Sequence, residues 1–158
     1  MLDEEYKDIV VAIDGSQASL IAFKKAVLVS KRNNSTLIIA HVVDTKTIST
    51  VETYDQSMIN QSETYATKLL NDYKKEAEKA GLTNVKTHID YGSPKVRIPK
   101  NVAKEFDADL IICGATGLNA VERFLIGSVS ENIVRHAPCD VLVVRTDEDE
   151  DENEDEDN

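Results

Sequence analysis

Glycine and serine residues between positions 114 and 130 are spaced in a way that suits phosphate binding. Gly114 and Gly117 are three residues apart, and after nine further residues Gly127 and Ser128 open a predicted helix. Glycine lets a backbone approach a ligand because it has no β-carbon, and a helix N-terminus offers unpaired N–H groups with a partial positive charge. The segment matches neither the G-K-[ST] loop nor the G-x-G-x-x-G fingerprint. It has the parts of a polyphosphate cradle that needs no lysine, although the same glycines could also serve only as turn residues.

Two charged residues could join such a cradle. Asp14 follows the first apolar run of the chain and is interpreted as a ligand contact, with a turn role in Asp-Gly-Ser as the alternative. Arg123 lies between the glycines, where it could reach phosphate or remain solvated.

The histidines and cysteines favour structural roles. His41 is expected to be a hydrogen-bonded core histidine, and His136 is placed at a helix C-terminus, where the dipole favours a cation. Cys113 and Cys139 are interpreted as small core residues, with a redox sensor as the alternative for Cys113. No spacing resembles a zinc site, and no nucleophile–base pair is recognised, so no catalytic residue is predicted.

Five short apolar runs alternate with longer helical stretches and must position these residues. The runs are 8–13, 36–43, 85–91, 108–113 and 140–144. All but the third are continuously apolar, which is typical of strands buried on both faces of a parallel sheet. The pattern predicts an α/β fold, an open five-stranded parallel sheet with helices on both faces. Ligands of such folds bind outside the carboxyl ends of the strands, where the strand order reverses.

The helices between the runs show recognisable start and stop signals. Ser16 can cap a first helix that continues to Val29, and a second helix is predicted from near Met58 to Ala80, ending at Gly81. The apolar stripe of the second helix holds Ile59, Tyr65, Ala66, Leu69, Tyr73 and Ala77. A third helix is expected to start at Ser93-Pro94 and to bend at Pro99. Ser128 is predicted to cap a last helix that ends near His136, and residues 45–55 are predicted to form a loop.

Charge is concentrated in the last twelve residues. Ten acidic residues between positions 147 and 158 account for most of the net charge of −11 and leave 19 acidic and 18 basic residues elsewhere. We expect one domain over residues 1–146 and a disordered acidic tail over 147–158, serving solubility or docking to a basic partner. No basic stripe, signal peptide or apolar run of membrane-spanning length is recognised. A cytoplasmic protein without nucleic-acid or membrane partners is predicted.

The motif Gly114-x2-Gly117-x9-Gly127-Ser128 resembles the ATP-binding signature of the universal stress protein family. The stretches VVAIDGS, IAHVVD, ADLIICGATG and SENIVRHAPCDVLVVR are also similar to that family, and the similarity covers residues 6–146. The resemblance implies a flavodoxin-like, Rossmann-like fold and a stress-response regulator that binds ATP together with Mg²⁺. Asp14 would lie by the ribose or by the phosphate-bound metal. The matching contact positions are Ala12, Ile13, Asp14, Val42, Gly114, Ala115, Thr116, Gly117, Leu118, Asn119, Gly127, Ser128, Val129 and Ser130.

The resemblance also implies a homodimer paired through the last strand, which begins at Asp140 and ends at Arg145. Neutral residues at Thr116 and Leu118, where many members carry basic or imidazole groups, imply modest affinity, and Asp140 replaces a frequent proline. Two alternatives stay open. One is a weak ATPase or autophosphorylating enzyme that uses Asp14 and Ser128 or Ser130, and the other is an interaction module that binds no nucleotide.

Overall fold

The computed structural model describes residues 5–45, 56–116 and 126–146. Its strands are β1 (Asp8–Ala12), β2 (Thr36–Asp44), β3 (Val85–Gly92), β4 (Leu110–Gly114) and β5 (Asp140–Val144). Its helices are α1 (Gln17–Asn33), α2 (Gln56–Lys79), α3 (Pro94–Arg97), a π-helical turn (Ile98–Val102), α4 (Ala103–Glu105) and α5 (Ser128–His136). Each predicted apolar run contributes a strand within two residues of the expected ends. The predicted loop over 45–55 lies almost entirely outside the described residues.

The five strands form one parallel sheet in the order β3-β2-β1-β4-β5. The predicted fold class is therefore confirmed. The chain runs from β1 outward to β2 and β3, and it then crosses back to place β4 on the other side of β1, so the strand order reverses between β1 and β4. The gap at the carboxyl ends of β1 and β4 is the place where ligands bind in folds of this kind.

Strand β1 shows why the apolar runs are continuous. Ile9 and Val11 pack into one core cluster and Val10 into the other, and all three side chains are fully buried. The first cluster fills the layer with α1 and α2, and the second fills the layer with the π-helical turn and α5. Because successive strand residues point to opposite faces, a sheet covered on both sides needs apolar residues at every position.

Helix α1 begins and ends at residues that complete its hydrogen bonding. Ser16 is the N-cap, as predicted, and its hydroxyl accepts the Ser19 N–H at 3.1 Å. At the other end Asn34 adopts a left-handed conformation and donates its N–H to the Ser30 carbonyl. The cap at Ser16 positions the helix start at the carboxyl edge of β1.

Helix α2 ends as the sequence predicts but buries a different stripe. Gly81 has φ +106° and donates to Glu78, and Leu82 donates to Ala77, which together form a Schellman motif. Leu70 is buried although it was not in the predicted stripe, whereas Tyr65 is 56% exposed. The prediction for Tyr65 was wrong because its side chain extends to the turn after β1, where its hydroxyl lies next to Gly15, and not into the core.

The third helical segment starts at Pro94, with Ser93 as N-cap, as predicted. Pro99 lies in the π-helical turn, where the Ala103 N–H reaches five residues back to the Ile98 carbonyl. The expected irregularity at Pro99 is thus a widened turn, since proline supplies no N–H to the helical ladder. In the part of the chain that the structure describes, no helix is long and apolar enough to span a membrane.

Candidate functional site at the carboxyl edge of the sheet

The backbone of Ala115 connects the end of β4 to the start of α5. Its carbonyl accepts the Gly127 N–H at 2.7 Å and the Ser130 hydroxyl at 2.9 Å, and its own N–H donates to the Val144 carbonyl at 3.0 Å. These bonds hold the N-terminus of α5 at the carboxyl edge, next to β4 and β5. Thr116 lies there too, because a β-carbon on Gly127 would stand 3.5 Å from its α-carbon.

Gly127, and not Ser128, caps helix α5. Gly127 is extended, with φ −64° and ψ 161°, and its carbonyl accepts the first helical bond from the Glu131 N–H at 3.0 Å. The prediction that Ser128 is the cap was wrong because the bond to Ala115 places Gly127 outside the helix. The N–H groups of Ser128, Val129 and Ser130 therefore have no helical acceptor, and they are the donors that an anion meets at a helix start.

The two serines of this turn differ in access. Ser130 is buried, and its hydroxyl donates to the Ala115 carbonyl at 2.9 Å. Ser128 is exposed at the first helical position. Of the two hydroxyls proposed for phosphoryl transfer, only that of Ser128 faces solvent.

Gly114 is required by packing, whatever it contributes to a ligand. A β-carbon at Gly114 would lie 2.9 Å from both the carbonyl carbon and oxygen of Ala18 in the first turn of α1. At Gly127 a β-carbon would lie 3.4 Å from its nearest neighbour, the Ala115 oxygen, which is ordinary contact. Packing therefore requires glycine at position 114 but does not require it at position 127.

Asp14 forms the turn that leads from β1 into α1. Its Oδ1 accepts the Ser16 N–H at 2.9 Å, and the residue is half-buried at the carboxyl edge. The turn role and the ligand role are compatible, since the turn hydrogen bond uses only one of the two carboxylate oxygens of Asp14. Among the described residues no group of three or more His, Cys, Asp or Glu could hold a metal. A Mg²⁺ ion would therefore fit here only as a partner of phosphate oxygens with Asp14 as one ligand, a common arrangement for this ion.

Strand β2 extends past the end of β1 and leaves backbone groups facing the site. The last β1–β2 pair is Ala12 with Ala40, and the Ile13 N–H donates to the Ala40 carbonyl at 2.8 Å. The backbone N–H and C=O groups of successive residues alternate between the two sides of a strand, so those of Val42 point to the same side as those of Ala40. Because Val42 lies past the last β1–β2 pair, its groups face the space beyond the end of β1. Ala12 and Ile13 lie beside this gap, and the Ile13 side chain is buried.

His41 is a hydrogen-bonded structural histidine, as predicted. Its Nδ1 lies 2.7 Å from the Ile13 carbonyl, and its ring is half-buried. This contact fixes the chain segment after β1, from which Asp14 extends. His136 is the last residue of α5, also as predicted.

One tyrosine of α2, Tyr65, lies at the site although the sequence analysis assigned it to a core stripe, whereas Tyr73 packs against Phe23 and the core cluster as predicted. The Tyr65 hydroxyl lies 2.5 Å from the position of a β-carbon on Gly15, whose φ is +86°. Burial, followed by the charges of Asp14 and Tyr65, raises the pKa of the Tyr73 hydroxyl. No local signal in the sequence distinguishes Tyr65, because it approaches Gly15 only through the packing of α2.

Neither cysteine has the environment of a reactive thiol. Burial raises the pKa of the Cys113 thiol to about 12. Burial, followed by Asp109 and Asp140, also raises the pKa of Cys139. The interpretation of Cys113 as a buried core residue is confirmed.

Several predicted site residues lie outside the described residues. They are Gly117, Leu118, Asn119 and Arg123, together with the acidic segment 147–158. The predictions for them stay predictions. The described part of the site comprises the turn after β1, the part of β2 that extends past β1, the end of β4 and the start of α5.

Comparison with known proteins agrees with this geometry. The profile of the universal stress protein family matches residues 5–145. The chain belongs to the universal stress protein family. A relative from Staphylococcus haemolyticus that bears the family's name is 52% identical over 143 residues, which are 90% of this chain and 87% of the relative.

Solved universal stress proteins share the fold. The protein UspA from Lactobacillus plantarum is 30% identical, with a TM-score of 0.79, over 90% of this chain and 100% of that chain. A universal stress protein solved in complex with cAMP is also 30% identical, with a TM-score of 0.66, over 91% of this chain and 100% of that chain. The flavodoxin-like sheet expected for this universal stress protein is thereby confirmed.

Proposed function

We propose that this universal stress protein binds ATP together with Mg²⁺ at the carboxyl edge of its sheet and acts in the stress response as a nucleotide-regulated homodimer. The observation that carries the proposal is the start of α5. Three N–H groups without helical acceptors, at Ser128, Val129 and Ser130, open there beside Thr116 at the end of β4. A helix N-terminus favours negative charge, so triphosphate is a suitable occupant.

The purine would lie on the other side of the site. The backbone groups of Val42 lie beyond the end of β1 and offer a donor and an acceptor to an adenine edge, while Ala12 and Ile13 provide apolar surface. Asp14 would contact the ribose or bind Mg²⁺ at the phosphates. The site residues on this proposal are the fourteen named from the family resemblance. The structure describes eleven of them, namely Ala12, Ile13, Asp14, Val42, Gly114, Ala115, Thr116, Gly127, Ser128, Val129 and Ser130.

Binding without rapid turnover is the proposed activity. Around the described site, His41 is turned towards the Ile13 carbonyl and the Ser130 hydroxyl towards Ala115, so neither is poised as a base or a nucleophile. The exposed Ser128 hydroxyl makes slow autophosphorylation the enzymatic alternative. Label transferred from ATP to the protein, and absent from a Ser128→Ala variant, would establish that alternative.

A cyclic nucleotide is a second candidate ligand. The solved relative that is 30% identical over 91% of this chain contains cAMP. A phosphodiester also suits a helix start, but it carries less charge than a triphosphate. Competition between ATP, AMP and cAMP for the same site would rank them.

The proposed homodimer pairs through β5, in the cytoplasm. The sheet order makes β5 an edge strand, and Val141, Leu142, Val143 and Val144 are all only half-buried. An apolar edge strand tends to pair with another strand, and antiparallel pairing of two copies satisfies both edges by two-fold symmetry. Sedimentation equilibrium at micromolar concentration should give twice the mass of one chain, and a monomeric mass would contradict the pairing.

Calorimetric titration with ATP and Mg²⁺ tests the nucleotide proposal. We expect the parent protein to bind and a Gly127→Val variant to lose at least tenfold in affinity, because the added side chain would stand beside Ala115, Thr116 and Ser130, where the phosphates are proposed to bind. Val134→Ala is the matched control, since Val134 is an exposed residue in the body of the same helix. No heat of binding with well-folded parent protein would overturn the proposal and favour the interaction module.

A further inference from the structure

The solvent-facing side of α1 is a basic surface. Its exposed side chains beyond the first turn are Lys24, Lys25, Leu28, Lys31 and Arg32. Helix α1 contains no acidic residue, whereas α2 on the same layer carries four acidic and four basic residues. The charged side chains of α1 are therefore all positive, whereas those of α2 are a balanced mixture of both signs.

The cations of this basic surface are not neutralised within the described fold. Ion pairs among residues 5–45, 56–116 and 126–146 join Lys79 to Glu76, His88 to Glu105, Arg97 to Asp90 and Arg135 to Glu131, and none uses a cation of α1. Outside the acidic segment 147–158 the whole chain is almost balanced, with 19 acidic and 18 basic residues. The excess positive charge of α1 is thus a local feature that the segment 147–158 could complement.

The fold brings the start of that acidic segment to the start of α1. Val144, the last residue of β5, pairs with Gly114, and Gly114 packs against Ala18 in the first turn of α1. Val144 also packs in the same core layer as α1. The chain therefore leaves the sheet beside the helix that carries the basic surface, and only Arg145 and Thr146 separate Val144 from the acidic run that begins at position 147.

We propose that the acidic segment 147–158 docks along the basic surface of α1 in the same chain. From Ala18 to Arg32 the helix rises about 20 Å, and twelve extended residues span about 40 Å, so the segment reaches every cation of the surface. Its ten carboxylates exceed the four cations, so different carboxylates can pair with the same cation. The association is therefore electrostatic and salt-dependent, and it is not a set of fixed ion pairs. Docking would shield the basic surface of α1 from other polyanions. This proposal does not depend on nucleotide binding.

Zero-length carbodiimide cross-linking of the full-length protein tests the docking. We expect amide links from carboxylates of 147–158 to Lys24, Lys25 and Lys31 at several times the yield found for Lys95, Lys100 and Lys104, exposed lysines of the opposite layer. The links should disappear near 1 M salt, where screening extends only over about 3 Å. Equal yields on the two layers, or yields that salt does not change, would overturn the proposal.

Two matched variants and an isotope mixture complete the test. Lys24→Gln with Lys25→Gln should lower the cross-link yield at Lys31 at least threefold, and Lys100→Gln with Lys104→Gln should leave it unchanged. Glutamine is nearly as favourable in helices as lysine, so both variants should fold. When ¹⁵N-labelled and unlabelled chains are refolded together, docking within one chain yields cross-linked peptides of a single isotope, and mixed pairs would show docking onto a second chain instead.

Discussion

The backbone of Gly114 lies against the first turn of α1, so that a β-carbon on Gly114 would stand 2.9 Å from the carbonyl group of Ala18. Real β-carbons are not found at such distances from backbone atoms. The contact joins the end of β4 to the start of α1, the two elements that flank the proposed site. Glycine at this position therefore lets the strand and the helix approach each other at the carboxyl edge.

A Gly114→Ala variant should be destabilised by about 1–3 kcal/mol, because the added methyl group overpacks a backbone contact that cannot move independently. Urea unfolding followed by circular dichroism measures the change. Gly127→Ala is the control, since its β-carbon has room, and we expect it to cost less than about 1 kcal/mol. Equal losses in the two variants would contradict the packing role of Gly114.

The proposed metal contact of Asp14 can be separated from its turn role. Asp14→Asn keeps a side-chain oxygen to accept the Ser16 N–H but removes the charge. Stability should change little, whereas ATP affinity in the presence of Mg²⁺ should fall about tenfold and affinity without Mg²⁺ should not fall. Titrations with and without EDTA measure this, and an unchanged Mg²⁺ dependence would exclude Asp14 as a metal ligand.

The ion pair between Asp90 and Arg97 should make stability depend on pH. Arg97 donates Nε and Nη2 to the two carboxylate oxygens of Asp90, each at 2.9 Å. Burial alone would raise the pKa of Asp90, but hydrogen bonds from Arg97 and the Tyr91 N–H, with the nearby positive charges, lower it below its ordinary value of 3.8. The folded protein thus binds this proton less tightly than the unfolded chain does, and the contribution of Asp90 is complete above pH 3.8 and lost as the pH falls through the lower folded pKa.

Comparison of the parent with Asp90→Asn should reveal that contribution. The variant should be less stable at pH 7, and the difference in the free energy of unfolding should narrow below about pH 4. Guanidinium unfolding at a series of pH values gives the two curves. A difference that stays constant down to pH 3 would show that the lowered pKa of Asp90 does not contribute to stability.

The two cysteines should react with alkylating reagents at different rates, and both slowly. Burial raises the pKa of the Cys113 thiol to about 12, so the thiol is almost entirely protonated at pH 8, and the residue is only 3% exposed. We expect Cys139, which is half-buried, to react first and Cys113 to react only when the protein opens. Mass spectrometry after timed iodoacetamide treatment checks this, with protein unfolded in guanidinium as the control. Faster labelling of Cys113 would restore the redox-sensor alternative.

Gly15 and Tyr65 should be energetically coupled. Gly15→Ala places a β-carbon at a φ of +86° and 2.5 Å from the Tyr65 hydroxyl, and the left-handed backbone alone costs about 1–2 kcal/mol. In a Tyr65→Leu background only the backbone cost should remain, so the loss of stability should be smaller there. A double-mutant cycle from thermal unfolding measures the difference, and strictly additive effects would contradict the contact.

Much of the fold could be predicted from the sequence. This part comprises the strands, their parallel arrangement, the Ser16 cap, the end of α2 at Gly81 and the irregular turn at Pro99. Each depends on a local signal, such as an apolar run, a capping serine, a left-handed glycine or a proline without an N–H. The position of the candidate site followed as well, because parallel strands bring their carboxyl ends to one edge whatever their order.

Other features were decided only by tertiary structure. Gly127 rather than Ser128 caps α5 because Ala115 holds it, Gly114 is glycine because Ala18 approaches, and Tyr65 lies over Gly15 because α2 packs where it does. The sequence by itself determined which residues could form helices, strands and turns. The tertiary structure decided which of them meet, since contacts between residues far apart in the chain leave no periodic pattern by which the sequence could reveal them.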